Sequence, residues 1–143
     1  MIGWIWAVML YLQSDALLWI YLGLPDPVRW AGLIASVAAV GFLVWVFKVV
    51  GTAGAETIVT FDDMKLATTG PYSRIRHPMY VGLFTWSLTW CLSTDNWLVS
   101  APLASFIVFI ALVRVPHEER VLLAHFGDDY RRYVERTHRF LPW

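Results

Sequence analysis

Four long apolar stretches, residues 1–22, 28–50, 78–92 and 97–115, dictate what this 143-residue chain can become. A helix crosses the ~30 Å hydrocarbon layer with about 20 residues, and in lipid every backbone N–H and C=O must find its partner inside the protein. The four stretches therefore read as membrane helices. The third is short for a span and is expected to gain a turn at either end. Composition agrees, because 58% hydrophobic and 15% charged residues, nine Trp and a mean hydropathy of +0.55 lie beyond an ordinary soluble domain.

Turn residues divide the stretches into two hairpins. Gly23-Leu24-Pro25-Asp26-Pro27 stops one helix and starts the next, and Ser93-Thr94-Asp95-Asn96 is a compact polar turn. The expected fold class is all-α: a polytopic membrane protein with four transmembrane helices as two hairpins, followed by C-terminal cytoplasmic or interfacial helices. A single domain is expected, with 1–50 as first hairpin, 51–77 as a loop, 78–115 as second hairpin and 116–143 as a tail. The first stretch lacks a basic n-region and a small-residue cleavage site, so it reads as a retained helix and not a signal peptide. Asp15, beside Gln13 and Ser14, is an ionisable group inside that stretch and is read as a helix-packing or oligomer contact.

Charge sets the orientation. Lys48, Lys65, Arg74, Arg76, Arg114, Arg120, Arg131, Arg132, Arg136 and Arg139 fall at the ends on one side, leaving Arg29 alone on the other. The positive-inside rule puts that side, with both termini, in the cytoplasm of a bacterial inner membrane or its equivalent. Trp4, Trp6, Trp19, Trp30, Trp45 and Trp97 near helix ends read as interfacial anchors. The formal net charge is zero, so no global field argues for nucleic acid. Cys91 is the single cysteine, and the four histidines show no metal-ligand spacing.

Two motifs meet on the cytoplasmic face. In the first, Gly70-Pro71-Tyr72 forms a tight turn leading to Arg76-His77-Pro78-Met79-Tyr80-Val81-Gly82. Pro78 suits the first helical turn, so the backbone donors of Arg76 and His77 stand at a helix entrance, where with the Arg76 guanidinium they can receive a carboxylate or phosphate. Within the loop, residues 57–61 could be extended and Asp62-Asp63 could cap a turn. In the second motif, Pro116 is expected to bend the fourth helix or restart it ahead of Glu118-Glu119. Glu119, Leu123 and Phe126 share a stripe from which Glu118 and Leu122 are offset, so that one Glu can face a pocket while the other faces water. Gly127 is expected to cap that helix, and Asp128 or Asp129 to start a last one, residues 130–136, lying on the membrane surface.

From Thr69 through Gly82, and from Glu118-Glu119 through Phe126-Gly127-Asp128-Asp129-Tyr130-Arg131-Arg132-Tyr133, the chain resembles the isoprenylcysteine carboxyl methyltransferase superfamily, which also includes membrane phospholipid N-methyltransferases and thiol S-methyltransferases. The resemblance covers about half the chain; the first hairpin matches only in hydrophobicity and topology. It implies methyl transfer from S-adenosylmethionine to a lipophilic or small hydrophobic acceptor. It further implies a cofactor between the two motifs: His77 and the segment Tyr80, Gly82 and Leu83 at the adenosine, Glu118 or Glu119 at the ammonium, Arg76 at the carboxylate. Arg131, Arg132 and Arg139 would orient an anionic acceptor. Arg76, Glu119 and Arg132 are thus the candidate catalytic residues. Without the resemblance, Arg76 and His77 could anchor to lipid phosphates, Glu118-Glu119 could be a solvated helix start, Gly82 could serve helix packing, and the tail arginines could contact anionic lipid. A noncatalytic lipid-binding or transport-associated protein, or a sterol-reductase-like enzyme using NADPH, are the alternatives.

Overall fold

The structure, a computed structural model, describes residues 20–51 and 66–141. The expected first span up to its last residues, Asp15, the extended piece 57–61 and the Asp62-Asp63 cap lie outside the described residues. Those described form four α-helices: α1 (Asp26–Val50), α2 (Pro78–Thr94), α3 (Trp97–Phe126) and α4 (Asp128–Glu135), with a 3-10 turn at Gly70–Ser73 before α2. Among the described residues there is no β-strand, only two isolated bridges.

Helix α1 starts where the prolines say it should. Pro25 is extended at the N-cap, Pro27 sits in the first turn, and the helix runs to Val50. Its buried residues Gly32, Ser36, Ala39, Leu43 and Val46 alternate by four and three, a narrow stripe along one face. That stripe meets α2 antiparallel. A Cβ on Gly32 would lie 2.7 Å from Leu92 Cβ and from the backbone of Ser93, and a Cβ on Gly82 would lie 2.6 Å from Leu43 Cδ2. Glycine is required at both crossings because the helices approach more closely than a methyl group allows.

Asp95 makes the turn to α3 in the left-handed region (φ 56°), and its carboxylate accepts the Leu24 N–H at 3.0 Å. The turn is thus tied to the segment preceding α1. Helix α3 does not restart at Pro116. It runs as one helix of 30 residues through Pro102 and Pro116, which excludes the restart, one of the two outcomes expected there. Each proline forfeits one backbone bond and leaves the carbonyl four residues earlier unpaired by it, a loss one long helix absorbs. Ile107, Ala111 and Val115 on α3 form a core with Tyr80 of α2, and Phe140 of the tail packs against it.

Two helices, Asp26–Val50 and the Ser100–Phe126 part of α3, are long and apolar enough to cross a membrane. Their outward residues Trp30, Ile34, Val37, Phe106, Phe109 and Leu112 are all more than half exposed, which in water would be an untenable apolar belt and in lipid is the normal surface. This is the pattern of an integral membrane protein. Helix α4 departs from expectation in two ways. Gly127 (φ 53°), which closes α3 with its N–H on the Leu123 carbonyl at 2.9 Å as expected, is also the N-cap of α4, so Asp128 and Asp129 stand in the first turn and neither is the cap. Tyr130 and Tyr133 are buried against the rest of the fold, so that side of α4 is packed inward.

Candidate functional site

The site is built where the loop before α2 meets the C-terminal tail. Ile75 and His138 form a parallel bridge in which the Arg76 N–H donates to the His138 carbonyl at 2.8 Å, the His77 N–H to Arg139 at 3.2 Å, and the His138 N–H to Arg74 at 3.0 Å. The Tyr133 hydroxyl adds a bond to the Tyr72 carbonyl at 2.7 Å. The backbone donors expected to receive an anion at the α2 entrance are therefore spent on the chain's own tail.

The Arg76 guanidinium is committed as well. It donates from Nε to Glu119 Oε1 at 3.2 Å and from one terminal nitrogen to the carbonyls of Val134 and Thr137. Glu119 also accepts both forks of Arg139 and the Nε2 of His77 at 3.3 Å. With 11% of the Arg76 side chain and 15% of Glu119 exposed, this is a nearly dry ion-pair network joining the loop, α3 and the tail.

Glu118 points elsewhere. Its carboxylate accepts the Tyr80 hydroxyl at 3.3 Å, pairs with Arg114 at 3.3 Å and stands 3.8 Å from His77 Nδ1. Both glutamates are thus half-buried and engaged, on two sides of α3. The expected division into one pocket-facing and one water-facing Glu is replaced by two clefts. One cleft, about 520 Å³, is lined by Tyr72, Arg76, His77, Met79, Tyr80, Arg114, His117, Glu118, Val121 and Leu122. The other, about 640 Å³, holds Glu119 with Arg120, Tyr130, Arg131, Glu135 and Arg139. A third, apolar groove of about 260 Å³ runs between α2 and α3 past Tyr80, Phe84, Ile107, Ala111 and Phe140.

His77 divides the two glutamates. Burial pushes its imidazole below the ordinary value, against the pull of the Glu119 hydrogen bond and with help from Arg76, so the ring is neutral at pH 7. Burial, then Glu118, raises the Tyr72 phenol to about 12; burial, then Glu119, raises Tyr130 to about 12. The Glu119 hydrogen bond holds Arg139 above its usual value. All three remain in their pH 7 states.

Of the residues named from sequence, Arg76, His77, Tyr80, Glu118 and Glu119 are brought together. Gly82 is not: it lies against Leu43 and Phe42 of α1, serving helix packing. Leu83 packs beside the Tyr80 core. Arg132 projects outward and pairs with Asp129, with 73% of its side chain exposed. Arg114 was missed, although its position four residues before Glu118 on one helix face is a legible signal. Tyr72 and His117 were likewise not assigned.

This geometry combines with a match of the sequence profile of the isoprenylcysteine carboxyl methyltransferase (ICMT) family over residues 31–124. The chain belongs to that family. The ICMT match runs from α1 to the second cleft and so includes both glutamates. Among relatives, the chain is 36% identical over 81 residues to protein-S-isoprenylcysteine O-methyltransferase of Schizosaccharomyces pombe, covering 56% of this chain and 34% of that protein. It is 38% identical over 84 residues to the Xenopus laevis protein of the same name (57% and 28%). It is 32% identical over 72 residues to methanethiol S-methyltransferase 1 of Bradyrhizobium diazoefficiens (50% and 24%). The chain thus aligns with between about a quarter and a third of these ICMT-type relatives.

Proposed function

We propose that the protein is a membrane methyltransferase that uses S-adenosylmethionine and methylates a lipophilic or small hydrophobic acceptor. The observation that carries this reading is the meeting of two unlike spaces at one side chain: Tyr80 lines both the polar cleft of Glu118 and the apolar groove between α2 and α3. Donor and acceptor can so approach from opposite sides.

The polar cleft suits the methyl donor. Glu118 offers an anion for its ammonium, and Arg114, whose side chain is 64% exposed and ready to reorient, offers a cation for its carboxylate. Arg76, already saturated by Glu119 and two carbonyls, is a positioning residue in this reading. Tyr72, Met79 and Leu122 provide aromatic and apolar walls for the adenosine. When bound, S-adenosylmethionine supplies an electrophilic methyl group. The protein's task is to align the acceptor and exclude water, which the buried Tyr80 and the tail residue Phe140, packed 6.0 Å from the His77 ring, are placed to do. A carboxylate acceptor needs no base; an amine or thiol releases a proton, and Glu118 stands beside the junction to accept it.

The reading includes four spans in two hairpins, the first comprising residues 1–50, with the site and both termini cytoplasmic. The basic asymmetry supports that orientation. Calorimetric titration of the protein in nanodiscs tests the whole: S-adenosylmethionine and its demethylated product bind, NADPH does not, and Glu118→Gln weakens donor binding at least tenfold. Binding of NADPH without the methyl donor would replace the reading with a reductase. Incubation with labelled donor and a membrane lipid extract identifies the acceptor.

A further inference from the structure

We infer that the second cleft, on the Glu119 side of α3, is a binding site for the phosphate of an anionic phospholipid, separate from the donor cleft. Arg120, Arg131 and Arg139 line it, against Glu119 and Glu135. Glu119 is already neutralised from behind by Arg76, so four guanidiniums face three carboxylates, those of Glu119, Glu135 and the Asp128 paired with Arg131. Arg120 spends only its Nε, on the Pro116 carbonyl at 3.2 Å, and Arg131 is held by Asp128 in an exposed pair of the kind an incoming anion displaces at little cost. Beneath these cations lies Tyr130, 3% exposed, whose buried hydroxyl has no hydrogen-bond partner among the described residues. A buried hydroxyl without a partner costs stability, and a phosphate oxygen is an acceptor of the right sign to restore it.

Depth selects the occupant. The apolar run of α3 ends at Val115. At 1.5 Å per residue Arg120 stands about 7.5 Å beyond it, at the outer edge of a headgroup layer ~5–7.5 Å thick on each side of the hydrocarbon. The inference needs α3 to span the bilayer but not the methyl-transfer chemistry.

The test is thermal unfolding of the full chain, without methyl donor, in detergent micelles doped with phosphatidylglycerol, with phosphatidylcholine, or with inorganic phosphate. Phosphatidylglycerol is expected to raise the midpoint by several degrees, and the other two not. The Arg120→Gln/Arg131→Gln protein should keep its helical circular dichroism and bind phosphatidylglycerol roughly 25-fold more weakly, about fivefold per arginine at ~1 kcal/mol each. Tyr130→Phe should lose part of the shift, and Glu118→Gln, on the opposite side of α3, should retain all of it. Equal shifts with phosphatidylcholine or inorganic phosphate would overturn the lipid-phosphate site, as would an undiminished response in the double arginine variant. Loss of the shift in Glu118→Gln would show that the clefts are not separate.

Discussion

Glu118 and Glu119 are neighbours of identical chemistry, yet the structure assigns them opposite costs of removal. Glu119→Gln keeps the shape and one acceptor oxygen but removes the charge that Arg76 and Arg139 share. Breaking a buried pair by deleting one charge costs about 3–5 kcal/mol, because the remaining ion stays desolvated. Arg76, at 11% exposure, falls in that class; Arg139, at 49%, adds no more than an exposed pair, ~0–1 kcal/mol. Because Gln still accepts one hydrogen bond, the lower end applies, and about 3 kcal/mol is expected. Glu118→Gln loses a pair to the exposed Arg114 and weakens a bond from Tyr80, for about 1 kcal/mol or less. The difference of about 2 kcal/mol is roughly a 30-fold shift in the unfolding equilibrium. Detergent-denaturation curves of both variants in the same micelles, followed by circular dichroism, measure it directly. Donor titration should rank the variants in reverse, with Glu118→Gln the weaker binder once both are folded. Equal destabilisation, or greater loss from Glu118→Gln, would refute the division of labour between the two carboxylates.

Three further outcomes follow from the same geometry. His77 is held below its ordinary 6.5, so as pH falls through that value the unfolded chain takes up a proton that the folded one refuses; stability should decline below about pH 6.5, and His77→Gln should flatten that slope in pH-dependent unfolding. Gly32→Ala should destabilise by about 1–3 kcal/mol because its methyl meets the Ser93 backbone, whereas Gly41→Ala, with open space around it, should be neutral or stabilise by up to ~1 kcal/mol in the same denaturation assay. Arg114→Gln should leave the unfolding midpoint nearly unchanged while raising the dissociation constant for S-adenosylmethionine about tenfold, since its ion pair with Glu118 is exposed; a stability loss without a binding change would return Arg114 to a structural role.

Local chemistry made much of this legible in the sequence. The prolines around Asp26, the Asp95 turn and Pro78 at the start of α2 all follow from residues acting on their immediate neighbours, while the meeting of His77 with the glutamates some forty residues on was legible from the charge asymmetry and the family resemblance. What was not legible depends on distant partners. Whether Pro116 breaks a helix depends on what surrounds the carbonyl it strands, and what saturates Arg76 depends on the backbone carbonyls of Val134 and Thr137, some sixty residues away. Helical spacing put Glu118 and Glu119 on different stripes and could have paired Glu118 with Arg114 four residues before it, but only the packed tail reveals that Arg139 claims Glu119. Gly82 was ambiguous between ligand and helix contact for the same reason: its neighbour, Leu43, lies on α1.

The bridge between Ile75 and His138 also imposes an order of events on a growing chain. Synthesis proceeds from the N-terminus, and the helices can enter the bilayer one after another as they are made. Yet the amides of Arg76 and His77 find their acceptors only at His138 and Arg139. A nascent chain that has inserted α2 and α3 but ends before the tail carries every residue of the polar cleft with its walls unfastened. In the proposed reading, donor binding therefore waits for His138 and Arg139, whose carbonyls fasten the loop before α2 in place.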